Sequence, residues 1–362
     1  MSMHTLVVGE FGDAARDEIQ RGAARASTSV VFCPQVSKAL QRLRTGNERP
    51  HCVLVAGEVG VKTIVDGMRE EADLFAVPVL VLLPRPTSEG YRGAYMAGAD
   101  DVVLTGDSGG LTRRLANLNQ FPVGARPAAT HGEAVIVALR EGSRRRLGRT
   151  LRQVGFEVSF ASSVEDLAEF ARRGNKPKFA VVVGHPPPDQ AGARRAGMRN
   201  VASVAGIPAL FLSAAEAELE QSLEADGQIA DVTGKLLFFA DEQAKAGFKD
   251  RRSSPRMLYS AICSFREAGA LQSTYGVTHN LSREGMYVRT LDPPRAASTI
   301  WIELETPINR APIHLRAQAV WQHLPGSGKG LLPPGFGLRI DAAQCPPADL
   351  RALTEGYEAL GE

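Results

Sequence analysis

The stretches RRSSPR, residues 251–256, and NLSREG, residues 280–285, are the part of the sequence from which the fold of its last third can be inferred. The first places three arginines around a Ser-Ser-Pro turn, although the chain is almost neutral, with 42 basic and 40 acidic residues. The second begins 24 residues after Arg256. A net charge of +2 gives no global attraction for anions, so any anion site has to be local. The first stretch is therefore either a solvated linker or one half of an anion site completed by the second stretch.

The segments around both stretches are typical of a small antiparallel sheet or barrel. From about residue 250 the sequence breaks into short β-rich runs, several of them alternating between apolar and polar residues, with Gly/Pro turns between them. The runs are MLYSAICSFRE, TYGVTHNLSREGMYVRT, TIWIELETP, IHLRAQAVWQHL and GFGLRIDA. PPADLRALTEGYEAL then predicts a terminal amphipathic helix.

In this context the two stretches resemble the RxxxR and (D/N)xSxxG motifs of the PilZ domain, over roughly residues 250–343. The resemblance implies a β-barrel that binds cyclic di-GMP. It also implies which residues bind this ligand, namely Arg251, Arg252, Arg256, Asn280, Ser282 and Gly285. Either motif alone would fit an ordinary charged turn, so the prediction depends on finding both, in order, within a β-rich segment.

The side chains suit the implied ligand. The planar guanidinium groups of Arg252 and Arg256 can bind phosphate oxygens or the guanine edge, and can stack on a base. Asn280 and Ser282 supply donors and acceptors for a guanine edge, and Gly285 is expected to keep a Cβ atom away from the ligand. In the family, an arginine in the position of Arg251 accompanies binding of a stacked pair, so we expect two ligand molecules per domain.

The first 240 residues alternate strand-like and helix-like segments, and the order occurs twice. TLVVGE (5–10), HCVLVAG (51–57) and VPVLVLLP (77–84) are apolar runs of strand length, which suit parallel sheets covered on both faces. The second series contains AVIVAL (134–139), KFAVVVG (178–184), IPALFLSA (207–214) and a weak last strand near QIADVTG. We predict two doubly wound α/β domains and a barrel. The predicted bounds are 1–120, a linker at 121–132, 133–245, and 246–362 with the terminal helix.

This layout resembles the receiver domain of response regulators, most specifically at AGADDVVL (97–104). A receiver needs strand-1 carboxylates for a cation, an Asp after strand 3, a Ser or Thr after strand 4 and a Lys after strand 5. The corresponding residues in the first unit are Gly9-Glu10, Ala56, Leu83 and Thr105. Those in the second are Ala138-Leu139, Val183-Gly184, Ser213 and, for the lysine, Lys235. Without the aspartate, both units are expected to be degenerate receivers that accept no phosphoryl group.

Other features bound the class of protein. The four cysteines are far apart in the sequence. This spacing predicts reduced thiols rather than a disulfide framework or a zinc site. The start of the sequence lacks signal-peptide features, and no apolar run reaches the roughly 20 residues needed to span a bilayer. We therefore expect a cytoplasmic protein with no membrane partner, no metal and no catalytic constellation.

The sequence predicts a cyclic di-GMP effector that acts on an unknown downstream protein. Ligand is expected to clamp residues 249–256 onto the barrel and change the packing of the barrel on the second unit. One alternative is a ligand-independent scaffold that dimerises through its receiver-like domains. Another is a transcription regulator that uses the basic helix at 144–152, although nucleic acid is the less expected partner.

Overall fold

The structure is a computed structural model that describes residues 3–46, 49–57, 60–85, 87–120, 131–173, 176–186, 198, 201–218, 222–223, 229–245, 254–307, 311–325 and 331–361. It forms two α/β units followed by a β-barrel. In this part of the chain we find no helix that combines the length and the apolarity required to cross a bilayer.

The first unit is a parallel sheet between two layers of helices. Its strands follow the order β2-β1-β3-β4-β5, the doubly wound order of flavodoxin-like and receiver folds. The apolar runs became fully buried strands because helices cover both faces. The strands are β1 (His4–Val8), β2 (Ser29–Cys33), β3 (Cys52–Ala56), β4 (Val79–Leu83) and β5 (Asp101–Leu104). The helices are α1 (Asp13–Arg25), α2 (Val36–Thr45), α3 (Val61–Glu70), α4 (Ser88–Met96) and α5 (Ser108–Asn119).

The second unit repeats this design in its first strands. Its sheet has the order β7-β6-β8-β10-β9 in the described part of the unit. The strands are β6 (Glu133–Val137), β7 (Glu157–Ala161), β8 (Phe179–Val183), β9 (Val201–Val204) and β10 (Ile207–Leu212). The helices are α6 (Glu141–Gln153), α7 (Leu167–Arg172) and α8 (Val232–Ala244).

The last strand of the second unit differs from the prediction. The edge position is taken by β9, which runs antiparallel to β10. The segment near QIADVTG contributes only β12 (Ile229–Ala230), which pairs with β11 (Ser222–Leu223) in a separate two-stranded sheet. The prediction of a fifth parallel strand was therefore wrong. The edge of β10 is already occupied by β9, which a short hairpin joins to it.

The barrel is a closed antiparallel sheet of β14, β15, β16, β17, β18 and β19, with β13 added to β15. The pairing of β15 with β16 closes the ring, so the barrel has no free edge. Its strands are β13 (Met257–Leu258), β14 (Ile262–Glu267), β15 (Thr274–Leu281), β16 (Gly285–Arg289), β17 (Thr299–Glu305), β18 (Pro312–His323) and β19 (Gly335–Ile340). The terminal helix α9 (Pro347–Gly361) packs on the barrel core through Leu353, Tyr357 and Leu360.

The barrel docks on the first unit through buried charges. Asp101 is fully buried, and its carboxylate accepts hydrogen bonds from Arg114 Nε at 3.0 Å and from the Leu291 N–H at 2.6 Å. Asp292 accepts hydrogen bonds from Arg113 and from Arg114. Buried charges are tolerated when each is paired and hydrogen-bonded, as here. An apolar contact lies beside them, since Tyr275 of β15 stacks on a tyrosine of α4 with ring centroids 3.8 Å apart.

The second unit contacts both neighbours. Arg289 of the barrel pairs with Asp231, the N-cap residue of α8. Arg146 of α6 pairs with Glu70 of the first unit. A cavity of about 260 Å³ lies where the three parts meet, and its wall includes Arg146, Asp231 and Arg289. Each of these three wall charges takes part in one of the two pairs described above.

Candidate functional site

A cavity of about 370 Å³ opens on the barrel between the segment that precedes β13, the β15–β16 turn and the faces of β18 and β19. Its wall contains both polar and apolar groups. The lining residues are Ser254, Arg256, Ser282, Glu284, Gly285, Met286, Val320, Trp321, Gly337, Leu338 and Arg339. The ends of both sequence motifs therefore lie at one cavity.

The pairing of β13 with β15 brings the motifs together. Met257 lies opposite Leu281, and Leu258 lies opposite Asn280. Continuing this antiparallel register by one residue puts Arg256 beside Ser282. The Arg283 N–H also donates a hydrogen bond of 3.3 Å to Ser254 Oγ, which joins the two segments at the mouth of the cavity.

The β15–β16 turn is held by its own backbone and by the terminal helix. Ser282 donates hydrogen bonds of 2.8 Å to the Gly285 carbonyl from both its N–H and its hydroxyl group, so the hydroxyl keeps only its acceptor capacity for a ligand. Arg283 points away to Glu358 of α9 at 3.0 Å. Tyr357 donates a hydrogen bond of 3.0 Å to the Pro255 carbonyl, which holds the preceding segment in place.

Gly285 is needed for strand packing. A Cβ atom there would lie 2.1 Å from the Leu338 carbonyl oxygen of β19, with which β16 pairs. Its φ angle is not positive. The requirement for glycine therefore arises from the close approach of β19, independently of any ligand.

Asn280 and His279 lie behind the cavity wall. Asn280 is 1% exposed, and its Oδ1 has no hydrogen-bond partner within the described residues. His279 is fully buried at a β-bulge of β15, and neither ring nitrogen has such a partner. Burial lowers the pKa of His279 to about 3, and the positive charges of Arg289 and Arg256 act in the same direction. This imidazole is therefore neutral at physiological pH.

Arg256, Ser282 and Gly285 of the predicted site line the cavity, and Asn280 is buried beside β13. Arg251 and Arg252 lie outside the described residues. The sequence did not point to Trp321 or Arg339. Trp321 lies opposite Gly337, where a Cβ atom would be 2.3 Å from the indole nitrogen, so glycine makes room for the ring. The indole stacks on Tyr287 at 5.1 Å and provides an aromatic surface in the cavity wall.

In the first unit, Ala56 stands where a receiver domain has its phosphoryl-accepting aspartate, and it packs closely against Gly9. A Cβ atom on Gly9 would lie 2.6 Å from the Cβ of Ala56, so the ends of β1 and β3 are in close contact. In the part of the chain that the structure describes, no cluster of three or more His, Cys, Asp or Glu side chains could hold a metal ion.

Ser213 and Lys235 of the second unit both contact Glu216. The Ser213 hydroxyl accepts a hydrogen bond from the Glu216 N–H, while the Glu216 carboxylate accepts one from the Ser213 N–H. This is a reciprocal cap of a short helical turn. Lys235 lies in the first turn of α8 and donates to Glu216 at 2.9 Å, so its placement as a strand-5 lysine was wrong.

The basic helix at 144–152 is engaged within the molecule. Arg149 donates hydrogen bonds to the backbone carbonyls of Arg69 and Glu70 at 3.2 and 3.0 Å. The hydrogen bond from Arg146 lowers the pKa of Glu70. Two arginines of α6, Arg146 and Arg149, therefore hold the second unit on the first.

Of the linker predicted at 121–132, residues 121–130 lie outside the described residues.

Comparisons with known proteins cover one domain at a time. Residues 250–356 match the family model of the PilZ domain, and a search of curated proteins finds no match. An atypical orphan response regulator of known structure is 21% identical, covering 33% of this chain and 98% of that chain with a TM-score of 0.29. An orphan response regulator of H. pylori is 20% identical, covering 33% and 95% with a TM-score of 0.27. The PilZ domain of YcgR from Escherichia coli, solved with c-di-GMP, is 16% identical, covering 31% and 92% with a TM-score of 0.24. The chain thus carries a PilZ domain in its last third, after two α/β units that resemble receiver domains.

Proposed function

We propose that this protein is a cyclic di-GMP effector, which binds the nucleotide on its PilZ barrel and acts by binding and not by catalysis. The observation that carries the proposal is the register of β13 with β15, because it brings the ends of both PilZ motifs to one cavity. Arg256 supplies a cation there, Ser282 an acceptor and Trp321 an aromatic surface.

The proposed ligand residues are those of the two motifs, Arg251, Arg252, Arg256, Asn280 and Ser282, with Gly285 fixing the turn. The arginines bind phosphate or the guanine edge, and each charge-assisted hydrogen bond contributes roughly 1.5–3 kcal/mol before binding costs. Because Arg251 precedes the first motif, we propose two stacked ligand molecules per barrel. Binding then shifts the packing of the barrel on the second unit, and this change is read by a downstream protein.

Isothermal titration of the full chain with cyclic di-GMP tests the proposal. We expect saturable heat, a stoichiometry of two, and a loss of at least about tenfold in affinity for Arg252→Ala and for Arg256→Ala, as the energy of one charge-assisted bond requires. Arg283→Ala is the matched control, since Arg283 lies in the same turn but contacts Glu358.

Absence of saturable heat in the parent, supported by equilibrium dialysis with labelled nucleotide, would overturn the proposed ligand. An Arg256→Ala affinity equal to that of Arg283→Ala would remove Arg256 from the site. A stoichiometry of one would remove the stacked pair. Identical small-angle scattering curves with and without bound ligand would exclude the domain shift.

A further inference from the structure

The strand β13 lies between the candidate site and the second α/β unit. Arg256, the residue before it, lines the cavity. Met257 packs on the barrel core, whereas Leu258 packs on the core of the second unit. One residue of this short strand therefore packs on the barrel and the other packs on the second unit. A displacement at Arg256 would be passed to both domains.

Rings connect the cavity wall with helix α8. Trp321 stacks on Tyr287 at a centroid distance of 5.1 Å. Tyr287 contacts His279 edge-on at 6.2 Å, and His279 contacts Phe238 of α8 edge-on at 5.9 Å. We call Trp321, Tyr287, His279 and Phe238 the aromatic chain.

The second unit continues the contacts of the aromatic chain into its core. Phe239, the next residue of α8, meets Phe179 of β8 edge-on at 5.4 Å, and Phe179 meets Phe156 at 5.2 Å. Close-packed interiors are stiff and transmit displacement. A change at Trp321 can therefore reach Phe238 through rings in contact, and a movement of the α8 backbone would carry it on to Phe239 and the centre of the second sheet.

His279 is an unusual member of this chain. It is fully buried among aromatic rings, yet both of its ring nitrogens lack hydrogen-bond partners within the described residues. The amide oxygen of its neighbour Asn280, a residue of the second motif, likewise has no hydrogen-bond partner in the part of the chain that the structure describes. Unpaired buried polar groups destabilise the arrangement that contains them, and an arrangement that pairs them is favoured correspondingly. The bulge at His279 is a place where such a rearrangement can occur, since bulges re-aim side chains.

Resting on the proposed function, we propose that His279 is the coupling residue of this protein: the aromatic chain transmits ligand binding at the barrel to helix α8, through a shift of the β15 bulge that changes the contact between His279 and Phe238. His279 acts through its neighbours and does not touch the ligand. The helix α8 is the element whose position both parts influence, because Arg289 of the barrel holds its N-cap residue Asp231.

Hydrogen exchange of the full chain, with and without cyclic di-GMP, tests this coupling. We expect the ligand to change the exchange rates of α8 amides by at least about twofold in the parent. His279→Phe keeps the ring contacts but removes the unpaired nitrogens. This variant is expected to bind the nucleotide within about threefold of the parent, as a residue outside the site should, and to lose the α8 response. Phe238→Leu, a milder change on the other side of the contact, should lose it as well.

Phe265→Leu is the control for general loosening of the barrel, because Phe265 packs on Phe336 in the barrel core. It is expected to keep the α8 response. If the parent does not bind the nucleotide, the proposed function fails. If the parent binds but α8 does not respond, or if His279→Phe keeps the response, the coupling is overturned while the function stands. If His279→Phe loses binding by more than about tenfold, His279 belongs to the ligand site and the coupling role is wrong.

Discussion

At the scale of the residue, His279 should make the stability of the protein depend on pH. Its folded-state pKa is about 3, against an ordinary value of 6.5, because burial disfavours the charged form. The unfolded chain therefore takes up a proton near pH 6.5 that the folded protein accepts only near pH 3. The contribution of His279 to the free energy of unfolding is therefore complete above about pH 6.5. As the pH decreases below that value, the free energy of unfolding decreases by up to about 1.4 kcal/mol for each pH unit.

We predict that His279→Phe unfolds at higher urea concentration than the parent at pH 5, and that the difference shrinks toward pH 7.5. Urea unfolding at several pH values measures this. Arg289, Asp231 and Arg256 are the charged groups that act on His279. They are present in both proteins, so their direct contributions to stability cancel in the difference. A difference that does not change with pH would show that His279 has access to solvent protons in the folded state.

Gly285 allows packing and ligand roles to be separated. We predict that Gly285→Ala destabilises the barrel by about 1–3 kcal/mol without any ligand, because its Cβ would meet the Leu338 carbonyl oxygen at 2.1 Å. Gly142→Ala, a helix position with open space, should be neutral or slightly stabilising. The two tryptophans, Trp301 and Trp321, both lie in the barrel, so their fluorescence in urea reports its unfolding. Unchanged stability with lost nucleotide binding would instead support the ligand role expected from the sequence.

At the scale of the element, the docking of the barrel on the first unit depends on one carboxylate of β5. Asp101→Ala leaves Arg114 buried and short of its main partner, which should cost about 3–5 kcal/mol. We predict that this change in the first unit shifts the fluorescence transition of the barrel tryptophans. Asp73→Ala, which breaks an exposed pair with Arg49, is the control and should cost less than about 1 kcal/mol. Equal transitions in the two variants would mean that the barrel unfolds independently of the first unit.

The elements themselves were largely predictable from local pattern. The buried strands of both sheets appear as apolar runs, and β14 to β19 appear as alternating runs between turns. The edge of the second sheet was not predictable, because VASV (201–204) lacks a continuous apolar run and is ordered by its hairpin with β10. A two-residue strand such as β12 carries too little pattern to show which sheet it joins.

The candidate site was predictable only where a motif marked it. Arg256 and Ser282 belong to motifs, and the register of β13 explains why they meet. Trp321 could not be assigned, because β18 has a bulge between Ala319 and Trp321. A bulge adds one residue and breaks the alternation from which the sequence tells one face from the other. A second bulge interrupts the alternation of β15 at His279, beside Asn280.

At the scale of the whole molecule, the contacts indicate which parts move together. The first unit and the barrel share a buried ion cluster and a stacked tyrosine pair, so they should behave as one body. The second unit is held by the buried pair of Asp231, at the start of α8, with Arg289 and by arginines of α6. The α6 contacts are partly exposed, and contacts of this kind contribute less than buried ones.

We therefore predict that cyclic di-GMP moves the second unit relative to a fixed pair formed by the first unit and the barrel. The described cysteines are all buried, so new cysteines at exposed positions can be spin-labelled selectively. Labels at Lys38→Cys and Glu355→Cys report the distance between the first unit and the terminal helix of the barrel. This electron–electron distance should stay constant when ligand is added. The pair Arg172→Cys and Glu355→Cys joins the second unit to the same helix, and its mean distance should shift. A ligand can move this equilibrium only by its differential affinity for the two arrangements, so the shift should saturate together with the calorimetric titration. A change in the first distance as large as that in the second would contradict the fixed pair, and it would place the moving contact at Asp101 and Arg114 instead of at helix α8.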